Sequence, residues 1–282
     1  MEIKDILIAH NFRYNKALGQ NFITDKNLLS AIVGDAGIEK KDTVVEIGAG
    51  AGSLTMALSK VCKKVIAFEV DYNLKPILSQ TLQGLDNVEL VFADVLKLAD
   101  EQIKDIVKGP FKVVANLPYY ITTPLIMRFF ESSLDIKSLT LMMQKEVAQR
   151  LVAKKNTQSY GAITAVIALQ ANAYITRNIP KQLFFPKPNV DSALVHIDIV
   201  GDKYNCKDIN FVKKVIKSAF MWRRKTLANN LIATFSLSRK DSQALLENLG
   251  FEANIRGEKL SPEEFCKLAF QLKKVLKESE NK

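Results

Sequence analysis

Val45-Glu46-Ile47-Gly48-Ala49-Gly50-Ala51-Gly52-Ser53 carries an apolar run into a turn with glycine at every second position. Glycine lets a backbone turn tightly and approach a ligand, and open α/β sheets bind cofactors at the carboxyl ends of their strands. Taken alone, such a turn suits a dinucleotide, S-adenosylmethionine or no ligand. Spacing narrows the choice. The dinucleotide fingerprint has glycine or alanine at its sixth position, which is Ser53 here. Glu46, two residues before the first glycine, suits a cofactor with a cationic amino-acid end better than one with a pyrophosphate.

Working outward, apolar runs with strand character recur at Thr43–Ile47, Lys64–Val70, Val88–Ala93, Phe111–Asn116 and Ser138–Met143. Helix-period segments lie among them at Ser53–Lys60, Leu74–Leu82, Pro124–Glu131 and Gln144–Ala153. This alternation predicts a parallel sheet covered on both faces. A helix near Asp25–Ala36, with Thr24 as N-cap, precedes it. The uncharged stretch Asn156–Thr176 is long enough to span a bilayer, but it carries Asn156, Gln158, Gln170 and Asn172 and is interrupted by Gly161. It reads as a buried helix leading into a strand. A further strand is expected at Ala193–Val200, after the patch Phe184-Phe185-Pro186-Lys187-Pro188.

From Asp208 the period is helical: Asp208–Met221, Lys225–Phe235, Arg239–Asn248 and Pro262–Leu276. The last opens with Ser261 as N-cap, Pro262 at the first helical position and Glu264 to complete a capping box. A boundary near Gly201 divides residues 1–200 from residues 201–282.

Charge follows that division. The 282 residues carry a formal charge of +10. Residues 1–200 hold 23 Lys+Arg against 20 Asp+Glu, whereas residues 201–282 hold 17 against 10. An excess of this kind points to a polyanion, either nucleic acid or an anionic membrane. The three cysteines, Cys62, Cys206 and Cys266, have no CxxC spacing, so neither a disulfide framework nor a zinc knuckle is expected, and a reduced compartment fits. The two histidines, His10 and His196, make a Ser-His-Asp triad or a histidine metal site a poor fit. Met1-Glu2-Ile3-Lys4-Asp5 has no signal-peptide character.

The ends of the later strands name the chemistry. The second strand ends in Glu69, suited to a ribose diol, and the third in Ala93-Asp94, suited to an adenine amino group. Three carboxylates at successive strand ends beside a glycine turn point to a nucleoside cofactor. The fourth strand ends in Asn116-Leu117-Pro118-Tyr119. An exocyclic adenine amine is a poor nucleophile because its lone pair is delocalised into the ring. The Asn116 oxygen and a loop carbonyl can accept its two N–H groups and favour a pyramidal nitrogen, which is catalysis by orientation. Pro118 fixes φ in the loop, and Tyr119 offers a face to an extruded base.

At this point the sequence resembles the KsgA-type ribosomal RNA adenine N6,N6-dimethyltransferases. The likeness covers almost the whole chain. It rests on Leu18-Gly19-Gln20-Asn21-Phe22, the Glu46–Gly52 turn, Asn116–Tyr119 and Phe184-Phe185-Pro186-Lys187-Pro188-Asn189-Val190-Asp191-Ser192. It continues through Phe220-Met221-Trp222-Arg223-Arg224-Lys225-Thr226-Leu227 and Arg256-Gly257-Glu258-Lys259-Leu260-Ser261. Gly257 stands where proline or alanine is expected, a detail of helix entry that touches nothing catalytic.

The resemblance implies an α/β, Rossmann-like class I S-adenosylmethionine-dependent methyltransferase sheet with a small all-helical C-terminal domain. It implies a cofactor pocket of Gln20, Asn21, Ile23, Glu46, Gly48, Gly50, Glu69, Asp94 and Asn116, with no metal. The target adenine would lie between Tyr119 and Phe184, beside Asn116, Leu117 and Pro118, although the Phe184–Pro188 patch also suits a buried loop plug. The implied reaction is N6,N6-dimethylation of two adjacent adenines in a hairpin near the 3′ end of 16S rRNA, late in small-subunit biogenesis. The expected partner is that rRNA within the small subunit or its precursor, met by a cytoplasmic monomer without a membrane. Arg223-Arg224-Lys225, read as opening a helix with Lys213, Lys214 and Lys217 upstream, would bind phosphates, and Trp222 is expected in the core. The competing functions are an Erm-type large-subunit methyltransferase and a mainly non-catalytic assembly factor.

Overall fold

The computed structural model describes residues 3–15 and 18–280, so Met1 and Glu2 of the expected N-terminal pattern lie outside the described residues. In chain order the strands are β1 (Phe22–Ile23), β2 (Thr43–Ile47), β3 (Lys64–Glu69), β4 (Val88–Phe92), β5 (Phe111–Asn116), β6 (Ile136–Gln144), β7 (Ala171–Ile179), β8 (Phe184–Phe185) and β9 (Ser192–Ile199). The helices are α1 (Ile3–Ala9), α2 (Lys26–Asp35), α3 (Ser53–Ser59), α4 (Lys75–Thr81), α5 (Asp100–Val107), α6 (Thr122–Glu131), α7 (Lys145–Leu151), α8 (Ala162–Gln170), α9 (Ile209–Ala219), α10 (Leu227–Phe235), α11 (Arg239–Asn248) and α12 (Pro262–Glu280).

The main sheet has the order β4-β3-β2-β5-β6-β9-β7. From β4 through β6 every pairing is parallel. Val44, Val45, Val65, Ile66, Val113 and Val114 are fully buried, as a sheet covered on both faces requires. The five strands expected to form a parallel sheet do so, and the later strand joins the same sheet in the opposite direction. β9 runs antiparallel to β6, with Ser192 opposite Gln144. The chain therefore re-enters the sheet at the carboxyl edge of β6, which puts the preceding Phe184–Asp191 segment at the ligand end.

Sequence period set most elements, and local chemistry set their ends. α2 is capped by Asp25, whose Oδ1 accepts from the Leu28 N–H at 2.7 Å, so the expected Thr24 cap is displaced by one residue. α8 followed directly by β7 matches the helix-to-strand reading of Asn156–Thr176, and no helix among the described residues is long and apolar enough to cross a membrane.

Contacts group the chain into two compact units, Met1–Ala148 with Ala173–Ile199, and Gln149–Asn172 with Val200–Lys282. Residues 149–172 thus join the helical unit rather than residues 1–200. The reason is α8, whose Ile163, Ala165, Val166, Ile167 and Leu169 are all buried and which packs on α9 and α12. A helix apolar all round needs partners on every side.

Within the helical unit, Ser261 and Glu264 form the expected capping box. The Ser261 N–H donates to the Glu264 carboxylate at 2.6 Å, and the Glu264 N–H to the Ser261 hydroxyl at 3.2 Å. A Cβ on Gly257 would lie 2.7 Å from the Ala219 carbonyl oxygen, so close backbone approach explains the glycine there. Cys206 and Cys266 correct the cysteine reading: they form a disulfide across 60 residues of sequence, their Cα atoms 5.9 Å apart. Folding α12 back beside the segment before α9 creates that proximity, which short-range spacing does not encode. Cys62 is free and buried, and burial pushes its thiol up to about 11.

Candidate active site

The carboxyl ends of β2, β3, β4 and β5 open on one cavity of about 510 Å³. Gln20, Asn21, Ile23, Glu46, Gly48, Gly50, Glu69, Asp94, Asn116, Leu117, Pro118, Tyr119 and Phe184 all line it. Residues 163 positions apart along the sequence, from Asn21 to Phe184, are thereby brought to one place. Neither histidine is among its walls. His196 instead bonds Thr140 Oγ1 at 2.8 Å and Asp198 at 2.9 Å on β9.

The glycine turn builds the floor. Gly50 has φ of 57°, and a Cβ there would meet the Phe22 ring at 3.0 Å. Both the left-handed backbone and the close ring favour glycine. The Gly50 N–H donates to Glu69 Oε2 at 2.8 Å, while the Val70 and Asp71 N–H groups donate to Oε1 at 2.8 and 2.9 Å. The buried Glu69 carboxylate is thus held by backbone donors on two strand ends. Oε2, accepting one of these bonds, keeps capacity for a further donor. Burial nevertheless raises its pKa above the ordinary value, against the lowering effect of those N–H bonds.

Glu46 is buried more completely, and its Oε2 has no hydrogen-bond partner among the described residues. Burial, with the Glu69 carboxylate adding to it, pushes the Glu46 carboxyl up to about 8. An orphan buried carboxyl oxygen on a cavity wall fits a ligand that brings its own donor or positive charge. Asp94, at the end of β4, accepts from the Leu96 N–H at 3.0 Å through Oδ1.

Asn116 ties the N-terminal segment to the sheet. Its Nδ2 donates to the Asn21 carbonyl at 2.8 Å, which fixes the amide and leaves Oδ1 available as an acceptor. Asn21 Nδ2 in turn donates to the Gly19 carbonyl at 3.1 Å. The Leu117 side chain is buried, and its N–H extends the ladder to the Met142 carbonyl at 3.2 Å. The Pro118 carbonyl is occupied by the Ile121 N–H at 3.1 Å. The Tyr119 hydroxyl lies 3.2 Å from the buried Ser192 hydroxyl at the start of β9, which restrains its ring.

Phe184 is both a buried residue and a wall. β8 pairs antiparallel with β1, setting Phe184 opposite Ile23 and Phe185 opposite Phe22. The segment carrying Phe184, expected beside the target base, and the segment carrying Ile23, expected beside the cofactor, therefore brace each other.

Sequence reasoning missed the latch on this arrangement. Buried Asp71 accepts from Gln20 Nε2 at 2.7 Å, while Gln20 Oε1 accepts from the Asn15 N–H at 2.8 Å. Its position two residues beyond Glu69 was the only available signal.

Arg223, Arg224 and Lys225 are not among the cavity-lining residues; they are exposed in the turn between α9 and α10. They do not open a helix: α10 begins at Leu227 with Thr226 as its cap, because the Thr226 hydroxyl accepts from the Asn229 N–H. The upstream lysines are not one surface either, since Lys213 is buried and Lys214 sits over the Phe235 ring at 5.3 Å. Trp222 is 49% exposed, contrary to the expected core position. The turn holds its backbone, and the indole projects outward.

Comparison with known proteins agrees with this geometry. The family model described as ribosomal RNA adenine dimethylase matches residues 11–274. A relative from Bacillus licheniformis named ribosomal RNA small subunit methyltransferase A is 41% identical over 282 residues, covering 97% of this chain and 96% of its own. One of the same name from Enterococcus faecalis is 43% identical over 279 residues, covering 96% and 94%. Among solved structures, a dimethyladenosine transferase from Plasmodium falciparum superposes with a TM-score of 0.76 at 25% identity, over 90% of this chain and 98% of that one. The 23S rRNA methyltransferase ErmE, at TM-score 0.67 and 24% identity over 89% of this chain and 99% of its own, shares the fold. With the model spanning nearly the whole chain and the strand-end residues gathered in one cavity, the chain belongs to the ribosomal RNA adenine dimethylase family.

Proposed function

We propose that this chain, acting as a cytoplasmic monomer, dimethylates the N6 amines of two adjacent adenines in a hairpin near the 3′ end of 16S rRNA during small-subunit biogenesis. The names of the small-subunit relatives support the choice of rRNA. The observation that carries the chemistry is the tethered Asn116, whose amide is held by the Asn21 carbonyl so that its oxygen is left to accept.

S-adenosylmethionine, when bound, supplies an electrophilic methyl on a sulfonium. The orphan Glu46 carboxyl, the glycine turn and the acceptor capacity left on Glu69 fit its charged end and ribose. Asp94 is assigned to the adenine amino group of the donor, with Gln20, Asn21 and Ile23 closing the pocket from the N-terminal segment. For the target base, Asn116 Oδ1 and the Leu117 carbonyl accept the two N6 hydrogens, the neighbouring Pro118 carbonyl being occupied. Two acceptors favour a pyramidal nitrogen and turn its lone pair toward the donor. Tyr119 and Phe184 hold the flipped base between them. No cavity-lining histidine contributes, so the rate rests on orientation and electrostatics. Arg223, Arg224 and Lys225 bind phosphates and position the RNA without reading its bases.

The test is transfer of labelled methyl groups by the purified protein to unmethylated small or large ribosomal subunits. Label on small subunits alone is expected. Label on large subunits would assign the chain to the Erm-type activity, and label on neither would favour a non-catalytic assembly role.

A further inference from the structure

Trp222 is the chain's single tryptophan, and with Met221 it stands half-exposed in the turn that leads into α10. Leaving a large apolar ring half in water forgoes part of the free energy of its burial. The turn is not loose. The Met221 N–H bonds the Ser218 carbonyl at 3.0 Å, and the Lys225 N–H bonds the Trp222 carbonyl at 2.9 Å. Beneath it, buried Asn230 donates from Nδ2 to the Ala219 and Trp222 carbonyls at 2.9 and 3.4 Å. Arg223 Nη2 adds a bond to the Gln158 carbonyl at 2.7 Å. The backbone is pinned from inside while the indole is held out.

A second exposed ring in the same unit makes a useful contrast. Phe270 carries Lys207 and Lys274 over its ring, at 4.8 and 4.5 Å from the centroid. Trp222 has no cation and no aromatic ring against it among the described residues, so its π face is open. Three consecutive exposed cations follow it. A partner that offers both flat rings and dense negative charge satisfies this surface, and an unpaired stretch of RNA is such a partner.

We propose that Trp222 is a stacking platform for an unpaired rRNA base, with Arg223, Arg224 and Lys225 on the flanking phosphates. This rests on the rRNA reading above and adds a contact that does not depend on charge. The indole would contribute affinity that persists at high salt, whereas the cations contribute affinity that salt removes.

Because no other tryptophan is present, emission from the full-length protein reports this position alone. Protein-free small-subunit rRNA is titrated while retention on a filter measures binding independently. Quenching that saturates with binding, and protection of the indole from acrylamide, are expected. Trp222→Ala should weaken binding about tenfold with the slope of log affinity against log salt unchanged, and Trp222→Phe should restore most of it. Arg223→Ala with Arg224→Ala should flatten the slope yet leave the quench at saturation. Circular dichroism melting checks that each variant folds. Unchanged emission at RNA saturation overturns the proposal, as does parental affinity in Trp222→Ala. Quenching or a blue shift with anionic phospholipid vesicles but not with rRNA also overturns it, in favour of a membrane surface. If quenching occurs but the arginine pair leaves the slope unchanged, the phosphate assignment fails and the stacking contact stands. If rRNA is not retained at all, the rRNA reading fails and takes this proposal with it.

Discussion

The cavity at the strand ends and the turn at Met221–Lys225 hold polar and apolar groups in opposite ways. In the cavity, the key polar side chains are held by backbone partners: buried Glu69 accepts three N–H bonds, and half-buried Asn116 is tied to the Asn21 carbonyl. In the turn, the charged groups and a tryptophan are exposed; the backbone beneath them is fixed, and Arg223 adds a side-chain bond to the Gln158 carbonyl. A buried, pre-oriented site recognises by geometry in a low dielectric, where salt screens little. An exposed cationic turn recognises by field and surface, where salt screens strongly. On the function proposed above, one chain would thus separate the accuracy of a reaction from the grip on a large substrate.

The largest effect should come from the cavity. Asn116→Ala removes an acceptor for the target amine and the tether to Asn21, and should slow methyl transfer about 10²–10³-fold in single-turnover assays. RNA retention should be unaffected, and a parallel loss of RNA binding would break the separation. Next, Glu69→Gln replaces a carboxylate held by three N–H groups with an amide that cannot accept them all. S-adenosylmethionine affinity by titration calorimetry should fall about 10- to 100-fold, and the loss should persist in high salt.

The turn should respond in the opposite sense. Arg223→Ala with Arg224→Ala should cost about tenfold in RNA affinity at low salt and reduce the salt slope by about 1–2, with cofactor affinity unchanged.

The smallest effect concerns pH. The Glu46 carboxyl lies near 8 in the fold against an ordinary 4.5, so the folded state favours its protonated form. Its contribution to stability is complete below about pH 4.5 and is lost as pH rises toward 8. Glu46→Gln stays neutral, so its melting temperature should match the parent near pH 4 and exceed it at pH 8, where the parent's buried carboxyl is under pressure to ionise. A gap that is as large at pH 4 would mean that shape rather than ionisation separates them.

The two regions were also unequally legible in the sequence. The cavity was readable because parallel strands end where ligands bind, so Glu46, Glu69, Asp94 and Asn116 could be placed from strand ends alone. Phe184 and the N-terminal Gln20–Ile23 segment came only with the family resemblance, since nothing local joins them to those strands. The structure supplies the link: β9 re-enters at the carboxyl edge, and β8 pairs with β1. α5 went unread although Ile103, Ile106 and Val107 recur at i, i+3 and i+4, because a run of only eight residues leaves little length in which to register the period. Asp25 displaced Thr24 as a cap because both residue types cap well and only the Leu28 N–H decides between them. In the helical unit, tertiary packing overrode local signals. Residue type placed Trp222 in the core, sequence distance hid the Cys206–Cys266 pair, and α8 was drawn into a unit that begins later in the chain.

The central claim is that a buried, orienting site dimethylates adenine while the exposed turn only holds the RNA. Mass analysis of nucleosides from unmethylated small subunits, after incubation with S-adenosylmethionine and the parent, the Asn116→Ala or the Arg223→Ala with Arg224→Ala protein, tests it directly. N6,N6-dimethyladenosine should form with the parent, be lost with Asn116→Ala, and return with the arginine variant when RNA concentration is raised. Dimethylation by Asn116→Ala at the parent's rate, or an arginine variant that stays inactive at saturating RNA, would contradict it.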